Sequence, residues 1–408
     1  MNDLEDKVDA TNLIVVANVR LPNGRPVDVH IRDGLIVHHG VPQGADCPDA
    51  ATQIIDGNGC LVLPGLVDGH MHLDKTLFGT PWFPQQAGPS RWSRIETEKR
   101  LRAGLPPVKQ RAANLIESCI AMGTTAIRTH VDIDPEIGLD QLRAIQDVRE
   151  AYADKVDVQI VAFPQSGVLR CHGVADLLNA AFAEGADLLG GIDPIAIDED
   201  LDGQLDVLFD IAERHDVGVD IHLHDGGADG LAEINAFTQR AAAHGLSGRA
   251  TVSHGFALAG ADDVGFEATA AAMAKAGVSL ATHGGGVSPP PPVKKLRERG
   301  VEVFAGSDNV RDLWSPYGDG DMLERAMLLA WRSGFRNDSD LATALDCAGA
   351  AGAQALGLDG HGLEPGDRAD LFTVMAETPA EAVVSRPRRP FVMKNGRIVA
   401  TDGVVVSD

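Results

Sequence analysis

His70 and His72 stand two residues apart in Gly65-Leu66-Val67-Asp68-Gly69-His70-Met71-His72-Leu73-Asp74-Lys75, behind the apolar run Leu61-Val62-Leu63-Pro64. In an extended strand alternate side chains share a face, so the two imidazoles point the same way. Two imidazoles at one strand end are able to grip a single metal ion. The pair is weak evidence alone, because 14 His in 408 residues give roughly half of one such pair by chance. Its weight depends on what the other elements bring to the same place.

The middle of the chain alternates strand-like runs with helical stretches. Candidate strands cover 61–73, 125–132, 156–165, 188–193, 218–224, 250–255, 278–283 and 301–308. Between them, Val108, Ala112, Leu115, Ile116, Cys119 and Met122 fall on one helical stripe, and 205–215 and 234–244 also read as helices. Such alternation over roughly 300 residues predicts an α/β fold, a (β/α)8 TIM barrel, here over 61–359. Both chain ends are β-rich, with turn signals at Pro22-Asn23-Gly24, Asp33-Gly34 and Asn395-Gly396. Residues 1–60 and 360–408 are therefore expected to build one small β-sandwich domain together.

Active-site groups of such a barrel lie at the C-terminal ends of its strands. His70, His72, His130, His222, His224, His254 and His283, half of all the histidines, fall in those short segments. A borderline-soft divalent metal needs several neutral imidazoles, one carboxylate and one open position for water. His70, His72, His222 and His254 with Asp308 supply that set. Such an ion lowers the pKa of a bound water to about 7. Asp308 would take the water's proton, and His254 or Lys75 would stabilise the attacked centre or hand a proton to a leaving nitrogen.

Composition narrows the partners. A formal charge of −24 repels phosphate backbones, so no nucleic acid is expected. No apolar stretch reaches the ~18 residues of a membrane span. The acidic start Met1-Asn2-Asp3-Leu4-Glu5-Asp6 has no signal-peptide core, and the cysteines (Cys47, Cys60, Cys119, Cys171, Cys347) are odd in number and dispersed. A cytoplasmic location without disulfides follows as the expectation.

The strand-end residues also resemble a known family. His70-Met71-His72, His222, His254 and Asp308 are similar to the amidohydrolase superfamily. Arg128-Thr129-His130-Val131-Asp132, Val161-Ala162-Phe163-Pro164-Gln165-Ser166-Gly167 and Ser307-Asp308-Asn309-Val310-Arg311-Asp312-Leu313-Trp314 resemble its cytosine deaminase-like branch. Within that branch, His72-Leu73-Asp74-Lys75, His222-Leu223-His224-Asp225 and Pro316-Tyr317-Gly318-Asp319-Gly320-Asp321-Met322 look most like the subgroup that removes alkylamines from s-triazine rings. The resemblance implies a single Zn(2+) or Fe(2+) on His70, His72, His222 and Asp308, with His254 beside it as ligand or acid/base. It implies that Gln165 and Asn309 bond the ring's amide edge, that Trp314 flanks it, and that Lys75, His224 and Asp225 lie in the substrate shell. It further implies a homo-oligomer. Strands three and four end in Gln165 and Asp193, where a two-metal member would carry a lysine, so one metal is favoured. Asp225 stands where cytosine deaminases carry Glu, which leans toward the triazine subgroup.

The expected function is a metal-dependent hydrolase that deaminates or dealkylaminates an aminated N-heterocycle, with a cyclic or linear amide as the alternative. A phosphate-recognising barrel lyase is disfavoured, because Pro289 to Pro292 follow Gly284-Gly285-Gly286 and have no N–H to donate. A non-catalytic metal binder has no need of Asp308 together with an uncommitted Lys75. Trp82, Phe83 and Trp92 lie in the long 76–106 segment, which reads as a lid over the first strand.

Overall fold

Eight parallel strands, each hydrogen-bonded to the next, form the centre of the computed structural model. The structure describes residues 13–41, 53–86, 88 and 90–407; the acidic start and Cys47 lie outside them. The barrel strands are, in order, Leu66–Met71, Thr124–Asp132, Asp157–Phe163, Leu188–Ile192, Gly218–Leu223, Ala250–His254, Val278–Thr282 and Val303–Ala305. They are buried on nearly every residue, as strands covered on both faces must be. Helices cover the outside. The expected stripe of Val108–Ala121 is the buried one, with Ala112, Leu115, Ile116 and Cys119 facing the strands.

The run read as one first strand, 61–73, is two strands in two sheets. Leu61–Pro64 pairs antiparallel with Leu371–Val374 in the sheet made by the chain ends, and the barrel starts at Leu66. Gly65 is the hinge. A Cβ there would sit 2.1 Å from Thr125 Oγ1, so only glycine lets the chain cross so close to strand two. Residues 61–64, expected within the first barrel strand, thus lie in the sheet of the chain ends.

The remaining strands of that sheet are Leu13–Arg20, Pro26–Arg32, Leu35–Gly40, Gln53–Asp56, Phe391–Lys394, Arg397–Thr401 and Val404–Val405. Both chain ends thus meet in one mixed sheet. Its two halves share a core of Val16, Val29, Ile31, Leu371, Phe391 and Met393. Asp33-Gly34 and Asn395-Gly396 have positive φ at both positions, the requirement of a type I′ hairpin.

Barrel closure rests on very close approach. Strands one and eight meet in a parallel bridge between Met71 and Asp308, and the Asp308 N–H donates to the His70 carbonyl at 2.7 Å. Gly306 lies against the His70 backbone, where a Cβ would stand 2.5 Å from the carbonyl oxygen; one on Gly69 would meet the Phe304 ring at 2.3 Å. Neither gap admits a methyl group without shifting main chain. We expect Gly306→Ala to destabilise the fold by about 3 kcal/mol, at the upper end of the cost of overpacking. Gly260→Ala, with no atom within 4 Å of the added carbon, is the neutral control. Equal urea midpoints for the two variants would show that closure does not depend on this contact.

Candidate metal centre

The strand ends bring His70, His72, His222, His254 and Asp308 together at the barrel mouth. His70 Nε2 and His72 Nε2 stand 3.6 and 3.4 Å from Asp308 Oδ1. His70, His222 and His254 form a second group with one ring nitrogen each within 4.8 Å of the others. A tetrahedral ion with ligands at roughly 2.1 Å sets ligand atoms about 3.4 Å apart, close to the distances to Asp308. All four histidines are buried. Neither ring nitrogen of His222 or His254 has a hydrogen-bond partner, nor does His70 Nε2. Buried orphaned nitrogens are destabilising unless something binds them. Burial, then neighbouring imidazoles, holds His222 well below the usual histidine range. His254 is lowered by burial first as well. Both are therefore neutral imidazoles, the form that ligates. The donor set, its spacing and its orphaned nitrogens fit one divalent cation.

Outer partners orient the ligands. His70 Nδ1 lies 2.9 Å from Ser253 Oγ, and that hydroxyl donates to Asp220 Oδ1 at 2.6 Å. Asp220 is held from beneath by Arg128 Nη1 at 3.0 Å. With Nδ1 engaged, Nε2 of His70 is the nitrogen turned to the mouth. His72 Nδ1 faces the His130 carbonyl at 3.2 Å with the same result. The Phe163 ring stacks on His222 at 4.1 Å and fixes its plane. His254 and Asp308 have φ of +73° and +57°, a conformation that non-glycine residues adopt at some cost and that recurs at functional sites.

The expected substrate shell sits around these ligands, with partners that the sequence did not disclose. Gln165 Nε2 donates to Glu98 Oε2 at 3.1 Å and lies 3.3 Å from Asp132 Oδ2. Trp314 Nε1 donates to Glu98 Oε2 at 2.7 Å. Asn309 Nδ2 donates to Asp312 Oδ2 at 2.5 Å. His224 stacks on His254 at 4.2 Å and holds Asp193 through Nδ1 at 2.8 Å. Asp225 pairs with Arg91, which also reaches Asp193 at 3.2 Å. His283 lies edge-on to His254, and its Nδ1 accepts from Gly285.

One expectation needs correction. Lys75, expected to be uncommitted in the substrate shell, has its ammonium buried between Asp132 at 2.7 Å and Glu98 at 3.1 Å. Burial alone would lower its pKa, but Asp132, Glu98 and Asp74 outweigh that and raise it, so this lysine keeps its proton. His130 and Asp132, near neighbours at the end of strand two, do not pair with each other. Both are buried, but Asp132 belongs to Lys75, and His130 lies under His70 at 4.2 Å with no hydrogen bond from its ring.

Helix α1 (Arg91–Arg102) was foreseen only as part of a lid. Ser90 caps it through Ser93. Ile95 is buried with Phe163, Ile192 and Ile197, with Trp92 and Trp314 packed on that cluster, while Trp82 is exposed. The helix then sends charges to several strand ends: Arg91 to Asp193 and Asp225, Glu98 to Lys75, and Lys99 to Asp134 at 2.5 Å. Its sequence, RWSRIETEKRLR, reads as a solvated surface helix. The signal available was its place directly after the histidine pair.

Two outcomes follow from this geometry. Ser253→Ala should leave the fold intact and weaken metal retention by roughly 10- to 100-fold, measured by competition with a chelator; unchanged affinity would remove Ser253 from the ligand set's support. Glu233 is fully buried near Asp193 and Asp225, its Oε2 unpartnered. Burial raises its pKa from 4.5 to about 8. Between those values the folded chain keeps a proton that the unfolded chain releases, so this group makes stability fall as pH rises across that window. Glu233→Gln should flatten the fall in urea midpoint between pH 5 and pH 9, and an unaltered slope would assign it elsewhere.

Comparison with known proteins agrees with the site. Residues 53–400 match the amidohydrolase family. The chain is 33% identical over 363 residues to N-isopropylammelide isopropyl amidohydrolase of Pseudomonas sp. strain ADP, covering 86% of this chain and 89% of that one. The crystal structure of N-isopropylammelide isopropylaminohydrolase from Burkholderia multivorans superposes with a TM-score of 0.93 at 44% identity, over 97% of this chain and all of the other. That of 5-methylcytosine deaminase from Klebsiella pneumoniae, liganded with 5-fluorocytosine, gives 0.83 at 27% identity, over 97% and 99% of the two chains. The likeness to the cytosine deaminase-like branch and to its alkylamine-releasing subgroup, seen first in strand-end motifs, therefore extends over nearly the whole chain. The protein is a hydrolase of carbon–nitrogen bonds other than peptide bonds, and it belongs to the amidohydrolase family.

Proposed function

We propose that this enzyme removes ammonia or an alkylamine from an aminated six-membered N-heterocycle, of the pyrimidine or s-triazine type, by hydrolysis at the ring carbon bearing the amine. The observation that supports it most is the convergence on Asp308 of His70 and His72, with orphaned His222 and His254 beside them and Gln165, Asn309 and Trp314 around them. One Zn(2+) or Fe(2+) on His70, His72, His222, His254 and Asp308 would supply Lewis acidity and lower the pKa of the attacking water.

The protein's own groups do the rest. Burial raises the Asp308 carboxyl, but His70, His72 and His254 outweigh it and hold the group well below the usual carboxylate range, so it is ionised and accepts the water's proton. The oxygen adds to the ring carbon. The tetrahedral adduct then collapses as the exocyclic nitrogen takes the proton that Asp308 accepted from the water and leaves as the free amine; the His254 ring, stacked on His224, borders the adduct. Lys75, which holds its proton against Asp132 and Glu98, acts as a fixed positive charge near the ring. Helix α1 covers the mouth and excludes bulk water. The substrate is a small heterocycle, and the chain's charge of −24 argues against a nucleic-acid partner. Among the described residues no helix is long and apolar enough to cross a membrane. The expected cytoplasmic location and homo-oligomeric assembly remain part of this proposal.

A release assay with cytosine, isocytosine, ammelide and N-alkylammelides, run on metal-loaded enzyme, should detect ammonia or alkylamine. Asp308→Asn, assayed at saturating metal, should lower kcat by about 10³-fold, within the range of lost acid–base catalysis. Retained turnover in that variant would overturn the assigned role of Asp308. No release from any of these rings by the loaded enzyme would redirect the assignment to an amide substrate.

A further inference from the structure

Three hydrogen-bond donors of the expected substrate shell converge on one carboxylate that belongs to no barrel strand. Glu98, on α1, takes the Lys75 ammonium at 3.1 Å on Oε1, and the Gln165 amide at 3.1 Å and the Trp314 indole N–H at 2.7 Å on Oε2. The side chain is 7% exposed. Burial alone would raise its pKa, but Lys75, Trp314 and Gln165 outweigh that and lower it. The carboxylate is therefore a pure acceptor.

A pure acceptor dictates the orientation of an amide beside it. The Gln165 NH2 faces two carboxylates, Glu98 and Asp132. Turning that amide over would place its carbonyl oxygen against the Glu98 anion and lose the hydrogen bonds to Glu98 and Asp132. The Gln165 carbonyl oxygen has no donor among the described residues. It is free to accept a hydrogen bond from a ligand. The same carboxylate holds the indole N–H of Trp314, so that N–H is already engaged.

We propose that Glu98 is a positioning residue that fixes Gln165 as a hydrogen-bond acceptor, so that the site selects rings presenting an N–H, in the lactam or imide form, over rings with a bare or alkylated nitrogen at that position. This rests on the heterocycle reading above and adds the polarity of the recognised edge. Glu98 touches no reacting atom in this arrangement; it acts through Gln165 and Trp314.

The test separates binding from turnover. Cyanuric acid, a ring imide without an exocyclic amine, and its N-methyl derivative serve as probes, with affinities measured by calorimetry on metal-loaded enzyme. The wild type should bind cyanuric acid and prefer it over the methylated ring. Glu98→Gln should weaken cyanuric acid by about tenfold, the scale of one buried hydrogen bond to a charged group, and bring the preference close to one. On any azine that the release assay identifies, KM should rise more than kcat falls. Metal content should match the wild type, while the thermal midpoint should fall, because Lys75 then keeps only Asp132 as a close ion-pair partner. If Glu98→Gln does not fold, Glu98→Asp keeps the charge with a shorter reach and should show a partial loss of preference. Unchanged probe preference in a folded variant, or no binding of cyanuric acid to the wild type, overturns the inference. Probe binding that depends on Glu98 without amine release from any azine would uphold the inference and overturn the reaction proposed above; release with a KM indifferent to Glu98 would do the reverse.

Discussion

The N–H of Asp308 donating to the carbonyl of His70 at 2.7 Å joins the end of the last barrel strand to the first, and the histidine cluster takes its position from it. His70 is two residues from His72 on one side of that bond, and the Asp308 side chain is on the other. The bond forms only because Gly306 lets two backbones come closer than a Cβ would permit. Once the ring of strands is closed, strands five and six bring His222 and His254 in parallel register, with Leu223 opposite His254. Closure and coordination are thus one geometric fact: the cylinder that buries the apolar side chains also gathers the imidazoles at its rim.

Around that rim the problem is charge. Glu98, Asp132 and Asp74 are buried with Lys75 within one small region, and Arg102 lies 3.7 Å from Asp132. Desolvating any one of them alone would be severely destabilising. They are tolerated because each faces an opposite charge or a donor, and because α1 brings both signs to the strand ends. Asp132 carries the residual strain: burial, with Glu98 and Asp74 nearby, raises its pKa despite the Lys75 ammonium. Polar residues of this density within a barrel mouth specify geometry more than they stabilise the fold.

What could be read from the chain followed local rules. Strand positions show as apolar runs, and side chains at i and i+2 share a face, so the ligands at strand ends emerge from the pattern alone. The hairpin turns show in Asp33-Gly34 and Asn395-Gly396, where both residues take positive φ. The helix 108–121 shows in its stripe. What escaped depends on contacts distant in sequence. Nothing near Lys75 announces that Glu98 and Asp132 will enclose it, because an ion pair leaves no periodicity. Helix α1 has mostly charged residues and almost no apolar face, so pattern places it in solvent, whereas Ile95 and Trp92 seat it on the barrel. The break at Gly65 was hidden because two short strands in different sheets read as one apolar run.

Helix α1 enters the site only through side chains laid on the strand ends, and none of the metal ligands belongs to it. The chain therefore divides its labour between a barrel scaffold and a helical cover. Substitutions at positions 91, 95 and 98 act on Asp193 and Asp225, on the Phe163 cluster and on Lys75 respectively. A descendant of this chain is able to acquire a new substrate by rewriting twelve residues while its hydrolytic centre stays as inherited.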